Sequence, residues 1–145
     1  MKRKLLTVTV PCYNSQEYME KCIDSLLVGG ERVEIIIIND GSTDKTGEIA
    51  DDYAHKYPNI VKVIHQENSG VTTARINGIK SASGEWIGFV DADDYVEPEI
   101  PKKLSDLTND TVYYNVSVSL FYAQWHYYKD ITSPVIDRLN MGWNY

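Results

Sequence analysis

The residues with the clearest chemical potential are three aspartates, Asp91, Asp93 and Asp94, which directly follow the apolar run 86–90. Apolar runs of this kind are typical of buried strands, so the carboxylates are expected together at a strand end. Carboxylates this close repel one another unless a cation lies among them or their pKa values rise. Their hard oxygens suit Mg²⁺ or Mn²⁺, which indicates phosphate chemistry. The alternative is a helix N-terminus, where acidic side chains are favoured, but a single aspartate would be enough there.

Three further side chains could complement such an ion. Asp40, which follows the apolar run 33–38, could accept a hydrogen bond from a base ring N–H, or it could simply close a turn with Gly41. Tyr13 could stack on a flat base, or it could be an aromatic residue at the rim of the sheet. Arg75 could pair with a diphosphate or hold the acidic cluster, and its alternative is a solvated helix face.

Composition narrows the class of protein. The 145 residues carry 14 basic and 21 acidic side chains, a net charge of −7, which argues against nucleic acid as a partner. Two cysteines suggest no disulfide framework, and a cytoplasmic location is the simplest expectation. No run is long enough for a membrane span. The basic start at residues 2–4 leaves peripheral attachment to the inner face of a membrane open.

The elements that must position these residues alternate along the chain. Strands are predicted at 5–10, 33–38, 60–64 and within 84–90. Helices are predicted at 15–27, from Ser42 or Thr43 to Pro58, at 71–82 and at 97–107. This order predicts an α/β fold, a doubly wound, Rossmann-like, mostly parallel sheet flanked by helices. Ligands bind beyond the carboxyl ends of such strands, where the unusual residues fall.

The last third of the chain follows a different pattern. Residues 112–122 alternate with period two, as in a half-exposed strand or a hairpin, and Ser133 and Pro134 resemble a helix start. We therefore divide the chain into an α/β region at 1–110 and a short β/α segment at 111–145.

Four segments carry a family resemblance. They are Thr-Val-Thr-Val-Pro-Cys-Tyr-Asn at 7–14, Ile-Asn-Asp-Gly-Ser-Thr-Asp at 38–44, Glu-Asn-Ser-Gly at 67–70 with Ala-Arg at 74–75, and Gly-Phe-Val-Asp-Ala-Asp-Asp at 88–94. In order and spacing they resemble the family-2 glycosyltransferases of the GT-A fold. The resemblance implies an inverting enzyme that transfers a sugar from a nucleotide-diphosphate donor, UDP being the commonest, with Mn²⁺ or Mg²⁺ at an Asp-x-Asp motif. It also implies a glycan or lipid-linked acceptor in polysaccharide or cell-surface glycan synthesis.

The resemblance also assigns roles to residues. Tyr13 and Asp40 would hold the base, with Pro11 lining that pocket. Asp91 would contact the ribose or the ion, and Asp93 would bind the ion. Arg75 would lie near the donor phosphates. The expected substrate-binding set is Pro11, Tyr13, Asn14, Asp40, Arg75 and Asp91, and the expected metal ligands are Asp93 and Asp91.

Two departures separate this chain from the usual pattern of the family. Ile76 stands where Asn commonly follows the Ala-Arg pair. The catalytic base is not identifiable, since Asp130 and Asp137 are the only acids after Asp110 and no acceptor-side motif aligns with residues 111–145. These last residues would be a truncated acceptor-side region. The alternative function is therefore a nucleotide-sugar-binding module without complete catalytic machinery. A nucleotidyltransferase ranks last, because no Gly-rich basic loop occurs early in the chain. The sequence leaves homo-oligomerisation open.

Overall fold

The computed structural model describes residues 3–97 and 123–124. Strands β1 to β5 are Leu6–Cys12, Val33–Asp40, Val61–Gln66, Trp86–Phe89 and Ala123–Gln124. Helices α1 to α3 are Met19–Leu27, Thr46–Lys56 and Val71–Ser81, and a 3₁₀ turn spans Gly30–Arg32.

The strands form one sheet in the order β3-β2-β1-β4-β5. The first four are parallel, and β5 pairs with β4 in the antiparallel sense. Strand β2 is buried along its whole length, as a strand covered on both faces must be. The predicted doubly wound α/β architecture is confirmed for the described residues.

Helices cover both faces of the sheet. Alternate residues of β2 point to opposite faces and therefore contact different helices. Ile35 and Ile37 pack with α1 and α2. Ile36 and Ile38 pack with α3 through Ala74. The carboxyl ends of β1, β2, β3 and β4 therefore meet at one edge, with the start of α3 beside them.

The first strand continues through Pro11, where the sequence predicted a loop. Pro11 pairs in register with Ile38 of β2, whereas the pairing of β1 with β4 ends at Thr9. A proline has no N–H to donate, so it is tolerated in a strand where one neighbour is absent. The predicted position of Pro11 in the loop is wrong, and the residue instead lies within the last two positions of the strand that leads to Tyr13.

The first helix begins at Met19 instead of Ser15. The Ser15 carbonyl accepts hydrogen bonds from the Tyr18 and Met19 N–H groups, while the Ser15 hydroxyl donates to the Tyr13 carbonyl. The Ser15 side chain is therefore used in the preceding turn and does not cap the helix.

The second helix begins at Thr46, after the predicted Ser42 or Thr43. Both of those residues bond to the segment after β1 instead. The other predicted bounds differ by one to a few residues, as is usual at element ends. The predicted helix at 97–107 beyond its first residue, the alternating segment 112–122, the helix start at Ser133 and the boundary at 110 lie outside the described residues.

Among the described residues, no helix is long and apolar enough to cross a membrane. Within the basic start, Lys4 is engaged in the fold. Lys4 Nζ donates to the carbonyl oxygens of Glu31 and Asn59 and, at 3.0 Å, to that of Val33.

Candidate functional site

Asp40 lies at the carboxyl end of β2 and binds the loop that leads into α3. Its Oδ1 accepts hydrogen bonds from Gln66 Nε2 and from the Ser69 backbone N–H, both at 2.7 Å. Its Oδ2 accepts one from the Gly70 backbone N–H at 2.9 Å. Asp40 is buried, with 4% of its surface exposed. The carboxylate therefore fixes where α3 begins.

The hydrogen bonds also keep Asp40 ionised. Burial raises the pKa of this carboxyl, but the donors from Ser69, Gln66 and Gly70 outweigh burial and hold the pKa below its ordinary value. A carboxylate offers about four lone-pair positions, and three are used here. One position on Oδ2 remains for a ligand donor.

Tyr13 and Asn14 form an exposed turn held by the loop after β2. The Asn14 N–H donates to Ser42 Oγ at 3.0 Å, and Asn14 Oδ1 accepts from the Thr43 N–H at 2.8 Å. Asn14 has a φ of +47°, a left-handed conformation that Asn tolerates better than most residues. These bonds hold Tyr13, whose surface is 52% exposed, at the edge of the sheet.

Arg75 lies one turn inside α3 and pairs with the first aspartate of the acidic turn. Its Nη2 lies 2.8 Å from Asp91 Oδ1, and the two side chains are 35% and 37% exposed. Arg75 Nε is buried and has no hydrogen-bond partner among the described residues. Of the three interpretations of Arg75, the structure contains the contact with the acidic cluster.

The acidic turn is compact. The Asp94 N–H donates to the Asp91 carbonyl oxygen at 3.0 Å, and Asp93 is exposed. Burial, followed by the charges of Asp93 and Asp91, raises the pKa of Asp94. The turn therefore carries the mutual repulsion that a cation would relieve.

The donor set fits a divalent ion that shares its ligands with a substrate. Among the described residues, no group of three or more His, Cys, Asp or Glu side chains is placed to hold a metal alone. Mg²⁺ in phosphate sites takes one or two carboxylates and completes its shell with phosphate oxygens and water. Asp93 and Asp91 could supply these one or two carboxylate ligands.

The two cysteines lie beneath this edge as structural residues. Burial raises the pKa of Cys12 to about 12 and also raises the pKa of Cys22. Cys22 Sγ lies 3.6 Å from the Asp91 carbonyl oxygen, to which its thiol donates. Both thiols are thus protonated, and Cys22 supports the acidic turn from within the core.

Gln66, Ser42 and Asn39 contribute to the site although the sequence analysis did not select them. Gln66 joins Asp40 to α3, since its Oε1 accepts from Asn77 Nδ2 at 2.8 Å. Asn39 Oδ1 accepts from the Ser42 N–H at 3.1 Å. The signal that could have found them is a polar residue at or just after the carboxyl end of a strand, the pattern that selected Tyr13, Asn14, Asp40, Asp91 and Asp93.

The model of the family described as glycosyl transferase family 2 matches residues 7–143. Among curated proteins, the chain is 48% identical over 103 residues to the uncharacterized glycosyltransferase EpsJ of Bacillus subtilis, an alignment that covers 70% of this chain and 30% of that protein. The chain thus spans about three tenths of the length of the curated relatives it matches first.

Solved structures share the fold. TarS 1-349 of S. aureus in complex with UDP-GlcNAc matches with a TM-score of 0.63 and 33% identity, covering 70% of this chain and 30% of that one. The mannosyltransferase PcManGT of Pyrobaculum calidifontis, in complex with GDP-Man and Mn²⁺, matches with a TM-score of 0.59 and 25% identity, covering 66% and 29%.

Proposed function

Because the chain belongs to glycosyl transferase family 2 and has the GT-A fold, we propose that it binds a nucleotide-diphosphate sugar, most simply a UDP-sugar, at the carboxyl edge of its sheet. The observation that carries the proposal is the placement of α3. Asp40 binds Gly70, the residue directly before α3, and Asp91 binds Arg75 in its second turn, so one rigid helix joins the two carboxylate positions. The donor nucleotide would span this distance.

The base is assigned to the first two strand ends. Tyr13 offers an exposed ring for stacking, which loses little side-chain entropy. Pro11 and Asn14 set the backbone that carries it. The remaining lone pair of Asp40 would accept a base ring N–H.

The diphosphate is assigned to the acidic turn. Asp93 and Asp91 would hold Mn²⁺ or Mg²⁺, which when bound offsets the charge that develops on the leaving diphosphate. Arg75 would keep Asp91 in place and present its remaining N–H groups towards the phosphates. We propose inverting transfer, in which a base removes the acceptor hydroxyl proton while that oxygen attacks the anomeric carbon from the opposite face.

We propose a glycan or lipid-linked acceptor, in polysaccharide or cell-surface glycan synthesis, and a cytoplasmic location. The two cysteines, which are buried and form no disulfide with each other, support that compartment.

A thermal-shift series tests donor binding. UDP, GDP and ADP are each added with and without Mn²⁺, because a ligand that binds only the folded chain raises its stability. We expect UDP with Mn²⁺ to stabilise most, by about 2.7 kcal/mol at 100 times its Kd. Asp93→Ala should remove the Mn²⁺-dependent part, whereas Asp52→Ala, an exposed aspartate on α2, should not.

No stabilisation by any of these nucleotides would overturn the proposal. An unchanged Mn²⁺ effect in Asp93→Ala would remove Asp93 from the metal site. Nucleotide binding without sugar transfer to any acceptor would identify a binding module.

A further inference from the structure

A continuous line of hydrogen bonds crosses the carboxyl edge from α2 to the turn after β1. Asp51 Oδ1 lies 2.9 Å from His65 Nε2, and His65 Nδ1 lies 3.0 Å from Asn39 Nδ2. Asn39 Oδ1 accepts from the Ser42 N–H at 3.1 Å, and Ser42 Oγ accepts from the Asn14 N–H at 3.0 Å. Four contacts thus connect Asp51 with Asn14.

The Asp51 carboxylate and the Ser42 backbone N–H determine the direction of the bonds that lie between them. An ionised carboxylate only accepts, so Asp51 requires the proton of His65 on Nε2. The Ser42 backbone N–H only donates, so the Asn39 amide must turn its oxygen to Ser42 and its NH₂ to His65. Nδ1 of His65 is then a bare acceptor, which is what the Asn39 NH₂ needs. Each interior group therefore supports the orientation of its neighbour.

Packing confines the middle of the line. Asn39 is buried, with 8% of its surface exposed, although His65 and Asp51 are about half exposed. A Cβ at Gly47 of α2 would lie 3.0 Å from Asn39 Nδ2 and 3.6 Å from His65 Cε1. The glycine leaves just enough room for the amide, so Asn39 has little freedom to adopt another orientation.

We propose that His65 is a positioning residue of the donor site, which acts through Asn39 and Ser42 on the Tyr13–Asn14 turn. The effect of His65 on nucleotide binding rests on the proposed function, whereas its local effect on Ser42 does not. Without the acceptor at Nδ1, the buried Asn39 NH₂ has no partner and rotates towards water or another acceptor. The bond to Ser42 is then lost, and the turn that holds Tyr13 loosens.

A matched pair of variants tests the local effect in the full chain without ligand. Leucine in His65→Leu cannot accept, whereas asparagine in His65→Asn can place Oδ1 near the position of Nδ1. We expect amide hydrogen exchange at Ser42 to accelerate about fivefold in His65→Leu, the factor for one typical net hydrogen bond, and to stay within about twofold in His65→Asn. Equal exchange at Ser42 in all three chains, or equal acceleration in both variants, would overturn the proposal.

Nucleotide binding tests the functional effect with UDP and Mn²⁺ as the probe. The Kd should rise about fivefold in His65→Leu and recover in His65→Asn, measured where circular dichroism shows both variants to be fully folded. An unchanged Kd in His65→Leu would overturn the positioning role. If the wild-type chain binds none of UDP, GDP and ADP, the proposed function fails, and the exchange comparison still decides whether the line of hydrogen bonds operates.

Gly47→Ala provides a second route should His65→Leu not fold. Its methyl group presses on Asn39 Nδ2 without removing any hydrogen-bonding group, so faster exchange at Ser42 is expected there too. Nitrogen NMR of the wild-type imidazole should show the proton on Nε2. Finding it on Nδ1 instead would contradict the proposed direction of the bonds.

Discussion

The guanidinium of Arg75 lies 2.8 Å from Asp91 and thereby neutralises one carboxylate of the acidic turn without any metal. Asp93 and Asp94 lie in the same turn, where burial and then the charges of Asp93 and Asp91 raise the pKa of Asp94. A divalent ion at Asp91 and Asp93 would therefore meet an existing positive charge. Arg75 and the ion are expected to oppose each other when no phosphate is present.

Replacing Arg75 should strengthen the binding of the free ion. We expect Arg75→Gln to lower the Kd for Mn²⁺ alone by about fivefold, because a partly exposed ion pair contributes up to about 1 kcal/mol. Binding of UDP with Mn²⁺ should weaken, since the phosphates lose a donor. Calorimetric titration measures both, and Lys80→Gln, on the same helix, is the control. Weaker Mn²⁺ binding in Arg75→Gln would contradict the expected competition.

The carboxylate of Glu34 is buried within β2, far along the strand from the proposed site. It accepts hydrogen bonds from Lys62 Nζ at 2.5 Å, Thr7 Oγ1 at 2.6 Å, and the Ser83 N–H and hydroxyl at 2.8 Å. Glu34→Gln should lower the free energy of unfolding by about 2 kcal/mol at pH 7, because hydrogen bonds to charged groups are the stronger ones. Urea unfolding measures this, and the exposed Glu17→Gln should change it little.

The effect of Glu34 should depend on pH in a definite direction. Burial raises the pKa of this carboxyl, but the bonds from Lys62, Thr7 and Ser83 outweigh burial and hold the pKa below its ordinary 4.5. An acid with a lowered native pKa contributes its stability above its unfolded pKa and loses it as the pH falls through the native value. The difference between wild type and Glu34→Gln should therefore be complete above pH 4.5 and shrink below it. A difference that grows on acidification would contradict the assignment.

Two glycines in left-handed conformations separate backbone strain from steric contact. Gly30 and Gly41 have φ values of +62° and +68°, but a Cβ at Gly30 meets nothing within 4 Å, whereas one at Gly41 would lie 2.6 Å from Asn68 N. Gly30→Ala should cost about 1 kcal/mol, the penalty for a left-handed alanine. Gly41→Ala should cost roughly 3 kcal/mol, near the upper end for single substitutions.

Gly41→Ala should also weaken nucleotide binding, because its methyl group displaces the loop that Asp40 binds. Gly30→Ala should leave the nucleotide Kd unchanged, since Gly30 is remote from that loop in the fold. Urea unfolding and nucleotide titration of the pair measure both effects. An equal loss of unfolding free energy in the two variants would show that Asn68 moves aside at no energetic cost.

The sequence alone determined the order of the elements, the parallel sheet and the edge at which the polar residues gather. The reason is that hydrophobic periodicity reports which faces are buried, and alternation of strands with helices leaves few topologies. The start of α3 was predicted at residue 71, and it lies there because Gly70 adopts a φ of +89° immediately before it.

The partners of the polar side chains depend on how distant segments of the chain pack together. The sequence suggested Asp40 as an acceptor for a base N–H. Three of its acceptor positions instead bind donors of Gln66, Ser69 and Gly70, which lie 26 to 30 positions later in the chain. Glu34 was counted within an apolar strand, although it is the centre of a buried network. Periodicity identifies the face on which a residue lies, whereas hydrogen-bond partners depend on strand register and side-chain rotamers across distant segments, which no local pattern encodes.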